Sequence, residues 1–392
     1  LFLTVLFNFS IFFVFKYLNF TIENINYVFG NVLPQTDIVL PIGISFFTFQ
    51  AMSYVFDTYT GRGGGGKNPL NVALYVTLFP QLIAGPIVRY ETVANEIQSR
   101  KETLDDFYYG IKRFIIGLSK KVIISNSVAI IADRAFNCGN YSELSVLMAW
   151  LGAISYTLQI YFDFSGYSDM AIGLGRMFGF HFDENFNYPY ISKSITEFWR
   201  RWHISLSTWF RDYLYIPLGG SRVKTKSRLF FNMFVVWLFT GVWHGASWNF
   251  IVWGLFYFVL QVIEKTTNCP NCFQSKSLIY LYQAFTMLAV ICGWVIFRAE
   301  NMGYATQYLM AMFGGLGNQL TDIFSVYLLR DSLILFLIAI IGSTPIIKNI
   351  FSKISTNKIT NSFSYVIYLV LFVLTISYIV NTPYDPFIYF NF

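Results

Sequence analysis

The chain holds 392 residues, 55% of them hydrophobic, 20% aromatic and only 12% charged, about half the charged share of an ordinary soluble domain. Together with a mean hydropathy of +0.51, this excludes a soluble enzyme carrying a single anchor, and four cysteines in so long a chain exclude a disulfide scaffold. The net charge of +6 is confined to short gaps between apolar windows, the pattern of cytoplasmic loops in a membrane protein; lipid is therefore the expected surrounding and no nucleic-acid partner is expected.

At about 20 residues per spanning helix, the length leaves room for about ten hydrophobic elements. Apolar windows run over 1–15, 38–59, 70–89, 144–178, 229–244, 246–263, 277–297, 326–346 and 363–381. The gaps are too short to fold by themselves, so residues 1–392 read as a single integral-membrane domain of the all-α class. The first window is short for a span and the chain opens on Leu1 without a methionine, so an N-terminal piece is expected to precede it; a signal peptide is not, since a basic start and a small-residue cleavage site are both missing. The second window carries Pro41 and Gly43, the third Pro80, Gly85 and Pro86. Either these are simple kinks or the helices break there and re-enter, lining a cavity whose walls satisfy the freed backbone groups. The run Gly63 to Gly66 followed by Lys67 lacks phosphate-loop spacing and is expected to be a flexible loop.

Residues 103–121 and 194–216 mix charge and aromatic rings without a continuous apolar stretch, which suits helices lying at the membrane interface. The basic pieces Arg100-Lys101, Lys120-Lys121 and Gly219 to Arg228 are expected on the cytoplasmic side. Within the window 144–178, Asp163 and Asp169 are intramembrane carboxylates; six residues turn them roughly 120° apart, so they do not form a facing pair, whereas Ser165 and Asp169 share a face. Such carboxylates mark a polar path or a paired cation, and Arg200, Arg201 and Arg211 are the expected partners.

Three histidines occur, and two follow a tryptophan: Trp202-His203 and Trp243-His244. His244 joins two apolar windows between Gly241 and Gly245, whose small size permits close approach of backbone or ligand; Trp243 and Asn249 are candidate supporting residues beside it. A neutral imidazole there can take the proton of a hydroxyl that attacks an activated carbonyl. His203 is either a packing histidine or a second functional one, and His181, in a polar stretch, is expected to be solvated. Cys269-Pro270-Asn271-Cys272 has no second ligand pair, so no metal site is expected.

The segments Leu40 to Gln50, Phe79 to Ile87, Tyr161 to Asp169, Phe198 to Ser207, Phe210 to Gly220 and Thr240 to Trp248 together resemble the membrane-bound O-acyltransferase family, in its bacterial branch typified by the alginate O-acetylation membrane protein. The resemblance covers roughly residues 38–260. It implies an MBOAT-type helical bundle with broken or re-entrant helices around a funnel or tunnel, in the inner membrane of a bacterium. It further implies His244 as the catalytic histidine, with His203 also implicated. The acyl donor would be a cytoplasmic thioester, acetyl-CoA, with no resident cofactor. The acceptor would be an exported or cell-wall polysaccharide such as alginate or peptidoglycan, reached through a separate periplasmic acetyltransferase partner; a more distant branch transfers D-alanine to teichoic acid. Two rivals stand beside it. A secondary transporter or flippase predicts an inverted repeat, and the surroundings of the two Trp-His pairs do not repeat. A non-catalytic scaffold of an export complex predicts that both histidines are replaceable.

Overall fold

The computed structural model describes residues 1–62, 68–83, 85–354, 358–381 and 387–388; side chains at 352, 354 and 358–363 lie outside that description, as does the expected loop at Gly63 to Lys67. Among the described residues there are helices and no strand, the all-α class expected. In chain order the helices are α1 (Phe2–Lys16), α2 (Leu18–Phe29), α3 (Ile44–Thr60), α4 (Pro69–Thr77), α5 (Tyr90–Ser99), α6 (Leu104–Ser119), α7 (Asn126–Phe136), α8 (Val146–Met177), α9 (Ile195–Arg201) and α10 (Ile204–Phe210). They continue with α11 (Lys226–His244), α12 (Trp248–Thr267), α13 (Lys276–Arg298), α14 (Met302–Met312), α15 (Ile323–Gly342), α16 (Ile346–Ile354) and α17 (Lys358–Asn381). Five described runs are long and apolar enough to cross a membrane: Leu104–Phe136, Trp248–Thr267, Lys276–Arg298, Ile323–Gly342 and Ser364–Asn381. The pair α1 and α2, bent by 63°, passes the same test if counted as one span.

The centre of the bundle is α8, 32 residues long and buried on nearly every side, as a helix without a polar face must be. Its closest neighbour is α6. A Cβ on Gly117 would lie 2.5 Å from the Gly166 carbonyl oxygen, and one on Gly110 would lie 2.5 Å from that of Gly173. The two glycines on each helix are seven residues apart, so both crossings fall on one face and the backbones touch there. This corrects the expectation for 103–121: the segment opens the 33-residue run Leu104–Phe136 and packs along α8 instead of lying at the interface. It also corrects the placing of Lys120 and Lys121 in a cytoplasmic loop, because both sit in a π-wound turn, Lys120–Ser125, inside that run. Their charges are tolerated because α8 supplies carboxylates opposite them.

Of the two alternatives for the proline-glycine windows, the helices break. Gly43 takes a left-handed φ of 79° just before α3, and a Cβ there would meet the Leu82 carbonyl at 2.7 Å. The third window yields the nine-residue α4, a 3-10 turn at Phe79–Gln81 and a non-helical stretch from Pro86 to Arg89. The freed backbone is satisfied from within the protein: Ile87 N–H donates to Ser205 Oγ at 3.0 Å. Segment 194–216 is broken too, into α9, α10 and a π-wound turn at Arg211–Tyr215. Its tryptophans Trp199, Trp202 and Trp209 are all buried in the protein, so they do not form the lipid-facing aromatic surface expected of an interfacial helix.

Candidate active site

The breaks bring the two Trp-His pairs together. α9 is anchored at its start by Glu264 of α12, whose carboxylate accepts from Ile195 N–H at 2.6 Å, Thr196 N–H at 2.8 Å and Thr196 Oγ at 2.6 Å. An anion at a helix N-terminus satisfies donors that have no partner inside the helix. α9 ends at Arg201, and His203 turns the chain into α10 with a left-handed φ of 44°, uncommon for a residue with a Cβ and held only where surroundings enforce it. Asn185 does the enforcing. Its carbonyl oxygen accepts from Ile204 N–H at 2.9 Å, and its Oδ1 lies 3.2 Å from Ser205 N, 2.9 Å from Ser205 Oγ and 3.1 Å from His203 Nδ1. The imidazole of His203 is 1% exposed and meets Phe164 edge-on at 4.6 Å, with Phe46 at 6.4 Å and Trp243 at 5.8 Å between ring centres.

His244 is the last residue of α11, after which Gly245 is fully extended. The hairpin of α11 and α12 closes tightly because Gly241 faces the Phe250 carbonyl, and the Phe250 ring fills the space that a Cβ on Gly245 would need. The His244 ring packs edge-on against Trp243 and Trp253, both at 4.9 Å, and Phe297 at 5.1 Å. The end of α11 is capped from far away in sequence: Lys16 Nζ donates to the carbonyls of Trp243 at 2.8 Å and His244 at 3.1 Å, and to Ser45 Oγ at 3.0 Å. An ammonium at a helix C-terminus satisfies carbonyls that the helix leaves open. Trp243 Nε1 donates to the Ser45 carbonyl at 3.2 Å, which fixes an indole that both imidazoles contact. A cavity of about 80 Å³ bounded by Lys16, Ser45, Phe46, Ile83, Trp243 and His244 reaches this point.

Sequence reasoning found His203, His244 and Trp243 and missed Lys16, Ser45 and Asn185. Lys16 is a cation closing an apolar window and Asn185 a buried amide in a polar stretch, and neither carries a local mark of its partner. Other candidates lie elsewhere. Asn249 is buried and ties the turn after His244 to α13, donating to the Ala299 carbonyl at 2.6 Å. Ser165 is buried on α8, its Oγ without a partner among the described residues. Asp163 pairs with Lys121 at 2.6 Å and accepts from Ile388 N–H at 2.9 Å. Asp169 pairs with Arg113 and Lys120, each at 2.6 Å. These pairings overturn the expectation that Arg200, Arg201 and Arg211 serve the two carboxylates: Arg200 is exposed, Arg201 binds Glu197 at 2.8 Å and Arg211 binds Asp212 at 2.7 Å. Those arginines point outward because α9 and α10 bury their tryptophans. His181 is half-exposed but not merely solvated, its Nδ1 lying 2.6 Å from Glu96. Cys269 and Cys272 are free thiols with sulfurs 2.9 Å apart.

Broken helices thus surround two buried histidines in a chain with apolar spans, and comparison with known proteins supplies the class. The model of the MBOAT, membrane-bound O-acyltransferase family, matches residues 44–310. The chain belongs to that family, and its class of chemistry is acyl transfer. It is 41% identical to a probable alginate O-acetylase of Pseudomonas putida over 96% of this chain and 81% of that protein. It is 49% identical to a probable alginate O-acetylase of Azotobacter vinelandii over 76% of this chain and 60% of that protein. A peptidoglycan O-acetyltransferase of Helicobacter pylori is 37% identical, covering 78% of this chain and 63% of that protein. The likeness thus runs past residue 260, where the motifs end.

Proposed function

We propose that this chain is a single membrane domain of a bacterial inner membrane that passes an acetyl group from a cytoplasmic thioester, acetyl-CoA, toward the hydroxyls of an exported or cell-wall polysaccharide, with a periplasmic acetyltransferase as its partner. The observation that carries the reading is that His203 and His244 both pack against the Trp243 indole, at a cavity that reaches His244. The relatives named for alginate and peptidoglycan acetylation support a glycan acceptor. The basic loop Gly219 to Arg228, at the start of α11, suits the donor side under the positive-inside rule.

In the proposed reaction the acceptor hydroxyl gives its proton to an imidazole as its oxygen bonds to the thioester carbonyl carbon. The carbon–sulfur bond then breaks, and the departing thiolate takes the proton back. His244 is the base, and His203 orients the acceptor or relays the proton; general-base action of this kind contributes about 10²–10⁴-fold. A direct displacement needs no acyl-enzyme. The test uses membranes with matched amounts of wild type or His244→Ala, given labelled acetyl-CoA in cells that retain the export machinery. We expect label in exported glycan to fall at least about 100-fold in the variant. Equal labelling would leave a scaffold or transporter in place of an enzyme.

A further inference from the structure

Resting on that reading, we infer that Asn185 holds His203 in the tautomer with hydrogen on Nδ1, leaving the Nε2 lone pair as the position through which His203 accepts a hydrogen bond or relays a proton. The argument starts from a group whose role is fixed. Ser205 is in the first turn of α10, so its backbone N–H has no acceptor inside the helix and can only donate. It donates to Asn185 at 3.2 Å, which makes that side-chain atom the oxygen and not the nitrogen of the amide. The same assignment leaves Nδ2 on the other side, where it donates to Ser168 Oγ at 3.0 Å. Ser205 Oγ receives Ile87 N–H and passes its own proton to the same Oδ1 at 2.9 Å. An amide oxygen has no hydrogen and only accepts, so in the hydrogen bond with His203 Nδ1, 3.1 Å away, the donor is Nδ1. A neutral imidazole carries one hydrogen, so Nε2 is bare.

Nε2 of His203 is buried and has no hydrogen-bond partner among the described residues, and Asn185 is itself fully buried. Packing around the ring comes from Phe46 of α3, Phe164 of α8 and Trp243 of α11, none of them titratable. The ionisable side chain next to Trp243 on α11 is His244, whose ring also packs on that indole. Asn185 is thus a positioning residue: it sets which nitrogen of His203 can accept a proton, and through Ser205 it ties that choice to the broken segment at Ile87.

The experiment measures kcat and KM for labelled acetyl-CoA in membrane vesicles, across about pH 5 to about pH 9, for wild type, Asn185→Leu, Asn185→Asp, Ser168→Ala and His203→Ala at matched abundance and checked thermal stability. Asn185→Leu is expected to lower kcat about 100-fold or more with KM within about threefold, as loss of the correct tautomer does elsewhere. Asn185→Asp keeps the acceptor and adds a charge beside Nδ1, so kcat stays within about tenfold while the acid limb of the profile moves up by about one pH unit. A pure helix cap would leave that limb in place. Ser168→Ala is expected within about threefold. Should Asn185→Leu fail to accumulate, the limb in Asn185→Asp decides alone. Full kcat in Asn185→Leu alongside loss in His203→Ala overturns the tautomer assignment and leaves the proposed function standing; full kcat in both removes His203 from the reaction.

Discussion

One side of α8 carries Asp163, Gly166, Asp169 and Gly173 toward α6, and another carries Phe164 and Ser168 toward His203 and Asn185. On the first side, each carboxylate meets a cation from the Leu104–Phe136 run at 2.6 Å, and glycine backbones close the gap between helices. On the histidine side, broken helices surround buried groups whose hydrogen bonding is incomplete: His203 Nε2, Gln50 Oε1 and Gln81 Oε1 have no partner among the described residues. A buried polar atom left unpaired costs about 1–3 kcal/mol. Open polar atoms also occur elsewhere, Ser165 Oγ and Tyr108 OH among them, so the contrast lies in where the ion pairs are. Buried charge in the membrane is therefore not by itself a mark of the reaction.

The sharpest break of this contrast is Asp163→Ala. Stripping one member from a buried ion pair is expected to cost about 3–5 kcal/mol, read as lost accumulation and a lowered melting temperature in detergent. The double change Asp163→Leu with Lys121→Leu should recover much of that loss. If Asp163→Ala instead accumulates normally and loses transfer activity, the carboxylate belongs to the site. A smaller effect is expected from Gly117→Val, whose Cβ would press on the Gly166 carbonyl: about 1–3 kcal/mol of destabilisation, with activity per folded molecule unchanged. Separation of α6 from α8 with a matching loss of specific activity would show that the two sides of α8 are coupled. The smallest effect is assigned to Arg200→Ala. An exposed side chain away from the site should change stability by no more than about 0.5 kcal/mol, with acyl transfer near wild type. A large loss would restore Arg200 to a role in binding.

Much of this was legible in the chain itself. Pro41, Gly43, Pro80, Gly85 and Pro86 marked where helices would kink or stop, because proline removes a donor and glycine accepts backbone angles that other residues avoid, and the structure chose the second. The two Trp-His pairs were legible because a histidine inside apolar membrane sequence is costly. Segments 103–121 and 194–216 misled, since their charges and rings resemble interfacial helices. The aromatic rings of 194–216 pack inward, and the charges of the first segment meet opposite charges on α8.

The sequence by itself determined the membrane-embedded all-α class and marked the prolines and glycines where helices would kink or break and the two Trp-His pairs as candidates, since hydropathy, proline and glycine act within a few residues of themselves. Tertiary structure alone decided that Lys121 and not an arginine meets Asp163, that Lys16 caps α11 across more than two hundred residues, and that Asn185 faces His203. Each of these is a pairing between distant segments, and which segments become neighbours is settled by the close packing of whole helices, a property that no local pattern encodes.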